Sequence, residues 1–421
     1  MPARAKSEGL SGFEGKKQTM KQIRLNVKKR ELRFGAETLA LPEAPAVRKI
    51  RNEGYENLPS FDEHAVRWQS GRRLLALQAY ECTMPGVLVP GSVRVTAHGK
   101  VMTPGKDFQV NETWGTVARI ESGRILPKEQ VRVSYSCYVS RIDAVIRTEK
   151  GLAVVRGRED IVYPAVPRIP KGSVRLANLY WHGDCSTLTE ELVYPVTETE
   201  FPADLIPVAC RPERIIRKLK EGKPVRILAW GDSVTECSYL PSECRWQNQF
   251  LRRLRKKYPR AKIELLTEGW GGHTAFAFLQ VPASEPHNFE EKVLRVEPDL
   301  IISEFVNDAS RPEKEWKNSY PKALKAFRKI GAEWIILTPH YTCPAWIGLP
   351  CSRNCDDDPR HFVKYLRTFS EKEKIPLADA SRYWGRLYRQ GIPYETLYSN
   401  GINHPLEYGL SLFAEALMKL F

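Results

Sequence analysis

Five short apolar runs alternate with amphipathic stretches through the second half of the chain, and this pattern limits the fold most tightly. The runs are VRILAW (225–230), KIELLTEG (262–269), DLIISEFV (299–306), EWIILTP (333–339) and IPLADA (375–380). Helical periodicity fills the gaps near 245–258, 288–296, 313–330 and 358–373, and a last helix is expected near 406–420. Strands that are apolar on every residue are buried on both faces, so the expected core is a parallel sheet between helix layers. In such sheets ligands bind beyond the carboxyl ends of the strands.

Residues 80–200 have a different texture. SVRVTAHGKVM (92–102) and VRVSYSCYV (131–139) alternate with period two, and DAVIRTEKGLAVVRG (143–157) reads as two strands around Lys150-Gly151. This spacing predicts an antiparallel sandwich or barrel. PGSVRVTAHG (90–99) and PKGSVRLANLYWHG (170–183) echo each other weakly, either by chance or because two related β modules are present. Tyr180 and Trp181 read as packing residues. The expected organisation is a basic flexible leader over 1–40, a β-rich domain over 41–205 and an α/β domain over 211–421.

The 421 residues carry a net charge of +15, and residues 1–35 hold ten Lys/Arg against three acids. Contact between this leader and a polyanion is one expectation, and a solvated tail is the other. No run of about 18 apolar residues occurs, and the N-terminus lacks the apolar segment of a secretory signal. A cytoplasmic location is the default expectation. Nine cysteines, an odd number, do not form a disulfide framework.

The strand ends carry the chemistry. Gly231-Asp232-Ser233 follows the first run, Gly269-Trp270-Gly271-Gly272-His273-Thr274 the second, and Asn307-Asp308 the third. Asn400-Gly401-Ile402-Asn403-His404-Pro405 lies near the C-terminus. Together these residues suit acyl transfer. Ser233 is a nucleophile once a base removes its proton, and His404 is the candidate base. A tetrahedral oxyanion needs fixed donors, which the Ser233 and Gly272 amides and the Asn307 side chain offer. Trp270 and His273 flank that loop as candidate pocket residues.

The four blocks resemble the SGNH (GDSL-type) hydrolase superfamily, whose Ser, Gly, Asn and His correspond to Ser233, Gly272, Asn307 and His404. The resemblance implies a three-layer α/β/α, flavodoxin-like fold with a five-stranded parallel sheet. Here an antiparallel β-sandwich-like domain would precede it. It also implies a serine esterase acting on an oxygen ester through an acyl-serine intermediate, with no cofactor or metal. An acetyl group on a carbohydrate is the first substrate expected, because β-sandwich and SGNH pairings recur among carbohydrate esterases.

Two departures from the family pattern stand out. The third block reads Phe305-Val306-Asn307-Asp308 instead of Gly-x-Asn-Asp. The family's orienting Asp, three or four residues before the His, is replaced by Gly401 and Asn400. Three readings stay open: a Ser–His dyad oriented by Asn400 or a backbone carbonyl, a carboxylate from elsewhere such as Asp379, or a catalytically weak or inactive fold serving binding or assembly. His340, Cys343, Cys351, Cys355 and His361 do not match zinc spacing, and no phosphate-binding loop occurs.

Overall fold

A computed structural model describes residues 23–26, 30–183 and 187–421. In the C-terminal half, five parallel strands stand in the order Lys262–Gly269, Pro224–Gly231, Leu300–Glu304, Glu333–Leu337 and Leu377–Ala378. In chain order this is 2-1-3-4-5, the flavodoxin-like doubly wound arrangement. Side chains alternate across the sheet, so the apolar runs feed two cores. Val225, Ile227 and Ala229 face helices Trp246–Lys257 and Glu407–Met418, whose Phe250, Leu254, Leu410 and Phe413 are buried there. Leu228 and Trp230 face helices Glu313–Lys329 and His361–Glu373 through Phe327, Phe362 and Leu366. The helix expected near 288–296 shrinks to a five-residue π-helical turn, Glu290–Leu294.

The β-rich part holds two large hydrophobic clusters, each with its own sheets. The first lies among a four-stranded antiparallel sheet (Arg48–Tyr55, Val131–Cys137, Arg94–Ala97, Lys100–Val101) and a three-stranded one (Arg72–Arg73, Thr116–Arg119, Phe108–Asn111). Val95, Val117 and Val133 sit at its centre, fully buried. The second belongs to the sheet of Arg141–Thr148, Gly151–Val155, Val174–Trp181 and Val193–Pro195. Trp181 is buried there and its indole donates to Asp143, itself in a buried ion pair with Arg141, while Tyr180 is buried on the other face of the strand with Ile142 and Tyr194.

The flexible leader is corrected in part. Ile23–Asn26, Glu31–Phe34 and Glu37–Ala40 form a three-stranded antiparallel sheet, and Leu32 is completely buried against Val145 and Leu179. Burial of that apolar face outweighs the local excess of charge. The most basic part, residues 1–22 and 27–29, lies outside the described residues, and the polyanion expectation with it. No helix among the described residues is long and apolar enough to cross a membrane.

Candidate active site

Register brings three of the blocks side by side. Gly231 pairs with Gly269 on one neighbour and with Glu304 on the other, so the loops carrying Ser233, Gly272 and Asn307 leave the sheet at one level. They flank the point where strand order reverses, where doubly wound sheets open a crevice. Position 231 admits no side chain, since an added Cβ would lie 2.2 Å from the Glu304 carbonyl oxygen.

Carboxyls, those of Asp232 and Asp308 buried, tie these loops together. Asp232 accepts from the Val234 amide at 3.0 Å and from the Asn307 amide at 2.9 Å. Asp308 accepts from the Ala275 amide at 3.1 Å and from the Tyr320 hydroxyl. Glu236 accepts from the Gly271 amide at 3.0 Å. Burial raises the Asp232 carboxyl above the usual range, against the lowering pull of its amide donors. It raises Asp308 to about 8, and it also raises Glu304, beside Asp232, well above the usual carboxylate value.

Ser233 opens a short helical turn, and its Oγ lies 2.9 Å from His404 Nε2. His404 is 2% exposed and sits edge-on to Tyr80 and tilted against Tyr239. Its loop is held by Asn400, whose Oδ1 accepts the amides of Ile402, Asn403 and His404 at 3.0, 2.9 and 3.1 Å. This corrects the expected role of Asn400. With its oxygen committed to three amides, it turns its nitrogen to His404 Nδ1, at 2.6 Å, and cannot accept a proton from the ring. Asp379 is no substitute, because Arg367, Arg382, Thr338 and Ser381 occupy its oxygens.

The carboxylate beside the ring is Glu81, from the β-rich part, with Oε1 3.2 Å from His404 Nδ1. Burial raises its carboxyl, but hydrogen bonding and charge from His404, with Asn400 and Arg73, outweigh that and leave it below the usual carboxylate value. Nothing around Tyr80-Glu81-Cys82 marks it in the sequence. The only cue is the absent acid at 400 and 401.

Ser233, Gly272, Asn307 and His404 line one cleft of about 600 Å³, together with Trp68, Tyr80 and Glu81 from the β-rich part. Gly272 has φ +75°, a conformation suited to glycine. The Asn307 amide donates one hydrogen to the His273 carbonyl at 3.2 Å, which leaves its second hydrogen for a ligand. Trp270 and His273 line a separate cavity of about 530 Å³ that meets the cleft at Gly272 and Asn307. Their rings stack 3.5 Å apart, and His287 stacks on the same indole.

The eight described cysteines are unbridged, and no group of three or more His, Cys, Asp or Glu among the described residues could hold a metal ion. His340 instead reaches the Asn403 carbonyl at 2.7 Å and braces the His404 loop from behind.

The sheet order is the five-stranded α/β arrangement that the resemblance to SGNH (GDSL-type) hydrolases implied, and three of the four blocks leave the ends of its strands. No family model and no curated protein matches the sequence. Among solved structures, the chain is similar to a two-domain esterase (CEX) active on acetylated mannans, at 18% identity over 50% of this chain and 55% of that one, with a TM-score of 0.41. The match spans just over half the length of that esterase. It is also similar to the acetyl xylan esterase AlAXEase, at 16% identity over 46% of this chain and 98% of that one, TM-score 0.38. TesA matches at 20% identity over 46% of this chain and 97% of that one, TM-score 0.34.

Proposed function

We propose that this chain is a serine esterase that cleaves an oxygen ester through an acyl-serine intermediate. The observation carrying the proposal is the 2.9 Å contact between Ser233 Oγ and His404 Nε2, in a cleft that Gly272 and Asn307 also line.

Ser233 Oγ attacks the ester carbonyl carbon as its proton passes to His404 Nε2. The carbonyl oxygen becomes an oxyanion, which the Ser233 and Gly272 amides and the Asn307 side chain stabilise, each donor contributing about 3 kcal/mol. The bond to the alcohol oxygen then breaks, and the imidazolium gives that oxygen its proton. Water repeats the sequence on the acyl-serine, so one ester and one water yield one alcohol and one acid.

A small acyl group on a carbohydrate fits the cleft chemistry. Trp68, Tyr80 and Trp346, the last 45% exposed, line the cleft, with the Arg67 guanidinium 4.5 Å over the Trp346 ring. Aromatic faces with polar edges suit the C–H faces and hydroxyls of sugars.

A serine-directed fluorophosphonate and a panel of acetylated sugars and acyl-ester chain lengths test the reading. Wild type is expected to be labelled and to turn over short acyl esters, and Ser233→Ala to do neither. A wild-type chain that is neither labelled nor active would leave a binding scaffold instead.

A further inference from the structure

A serine hydrolase base must keep its proton on the ring nitrogen away from the serine. Here that nitrogen is Nδ1, and its proton needs an acceptor. Asn400 cannot provide one, since its nitrogen faces the ring and its oxygen is held by three amides. Donation from that nitrogen to a bare Nδ1 favours the opposite tautomer, with the proton on Nε2, where it blocks transfer from Ser233. Asp232 is buried nearby, but its two oxygens are taken by the Val234 and Asn307 amides.

We propose that Glu81 is the acidic positioning partner of His404, so that the accessory β module supplies the carboxylate that the hydrolase half lacks at positions 400 and 401. The inference rests on the esterase reading above.

The geometry holds Glu81 in place independently of the ion pair. Its backbone has φ +55°, a left-handed conformation that a non-glycine residue adopts only where its surroundings enforce it. The neighbouring chain clasps the histidine loop. The Tyr80 amide donates to the Ser399 carbonyl at 3.0 Å, and the Tyr163 hydroxyl to the same oxygen at 2.6 Å. The Cys82 thiol reaches the Asn400 carbonyl, and Cys82 packs with Trp114 against Ile402. The carboxyl is held below its usual value, so it is a carboxylate wherever the histidine is to act as a base.

The test uses the full chain, p-nitrophenyl acetate and the fluorophosphonate. Glu81→Gln is expected to lower kcat at least about tenfold with KM within about twofold, and to slow labelling in parallel. The acidic limb of the kcat/KM profile should move to lower pH, because loss of a carboxylate makes the imidazolium less stable. The other titratable groups facing the ring, Asp232, His340, Tyr80 and Tyr239, are unchanged in this variant. The double variant E81Q/N400D places a carboxylate oxygen where the Asn400 nitrogen now faces Nδ1, and should recover most of the lost rate.

Glu81→Gln within about twofold of wild type, with Ser233→Ala inactive, overturns the role of Glu81 and leaves the esterase intact. A slow Glu81→Gln with no shift in the pH limb and no recovery in the double variant also overturns it, since Glu81 would then be a structural residue. Full activity in Ser233→Ala would sink the esterase reading itself.

Discussion

Asn307 serves two loops at once. Its backbone amide donates to Asp232, and its side-chain amide donates to the His273 carbonyl while keeping a second hydrogen toward the cleft. In the proposed mechanism, replacing it by Ala removes a donor that matters most once the oxyanion forms. Asn307→Ala is therefore expected to lower kcat about a hundredfold with KM little changed, which steady-state kinetics on p-nitrophenyl acetate would show. An unchanged kcat would remove Asn307 from the donor set. At this scale the sequence was informative where chemistry follows an apolar run: Ser233, Gly272 and Asn307 each follow one. His404 was legible by residue type and order. The true state of Asn400 was not legible, because three backbone amides decide which way its side-chain amide faces. Glu81 was hidden because its proposed role comes from a contact 323 positions away in the chain, between residues 81 and 404.

The central parallel strands were legible because burial on both faces leaves no polar alternation to confuse with a helix. The π-helical turn at Glu290–Leu294 and the two-residue fifth strand were not, since only packing against their neighbours sets their lengths. The loops at the strand ends depend on buried carboxyls, and this gives the stability a pH dependence. Burial pushes Asp308 up to about 8, so in the folded chain it keeps a proton that the unfolded chain releases near about pH 4. A raised native value stabilises at low pH, and the stabilisation is lost as pH rises through the folded value. Asp308→Asn keeps an acceptor for the Ala275 amide without a titrating proton. From about pH 5 to pH 8 the wild type should lose stability relative to this variant, on the order of a few kcal/mol, in urea melts. Parallel curves would contradict the assignment.

On the scale of the molecule, the β-rich part and the α/β half meet at the cleft that holds Ser233 and His404. Gly401 has φ +68°, and an added Cβ would lie 2.2 Å from Met84 Sδ across the seam. Gly401→Ala is expected to cost about 1–3 kcal/mol and to depress kcat, because it pushes the histidine loop away from residues 80–84. Adding Met84→Ala should restore part of both, as a double-variant cycle on melting and turnover would reveal. Independent effects would mean that the two loops do not press on each other. The seam itself could not be read from local patterns, because each side looks like an ordinary Gly- or Pro-containing turn until tertiary packing joins them.

The clasp also orders events in time. A chain leaves the ribosome N-terminus first, and domains generally fold as units in that order. Residues 80–84 would thus be in place before the segment bearing His404 emerges, and the last loop to arrive would close onto a prepared mould. If the proposed esterase chemistry holds, a nascent or partly opened molecule would carry its serine without a properly poised base, and reactivity would be withheld until assembly is complete.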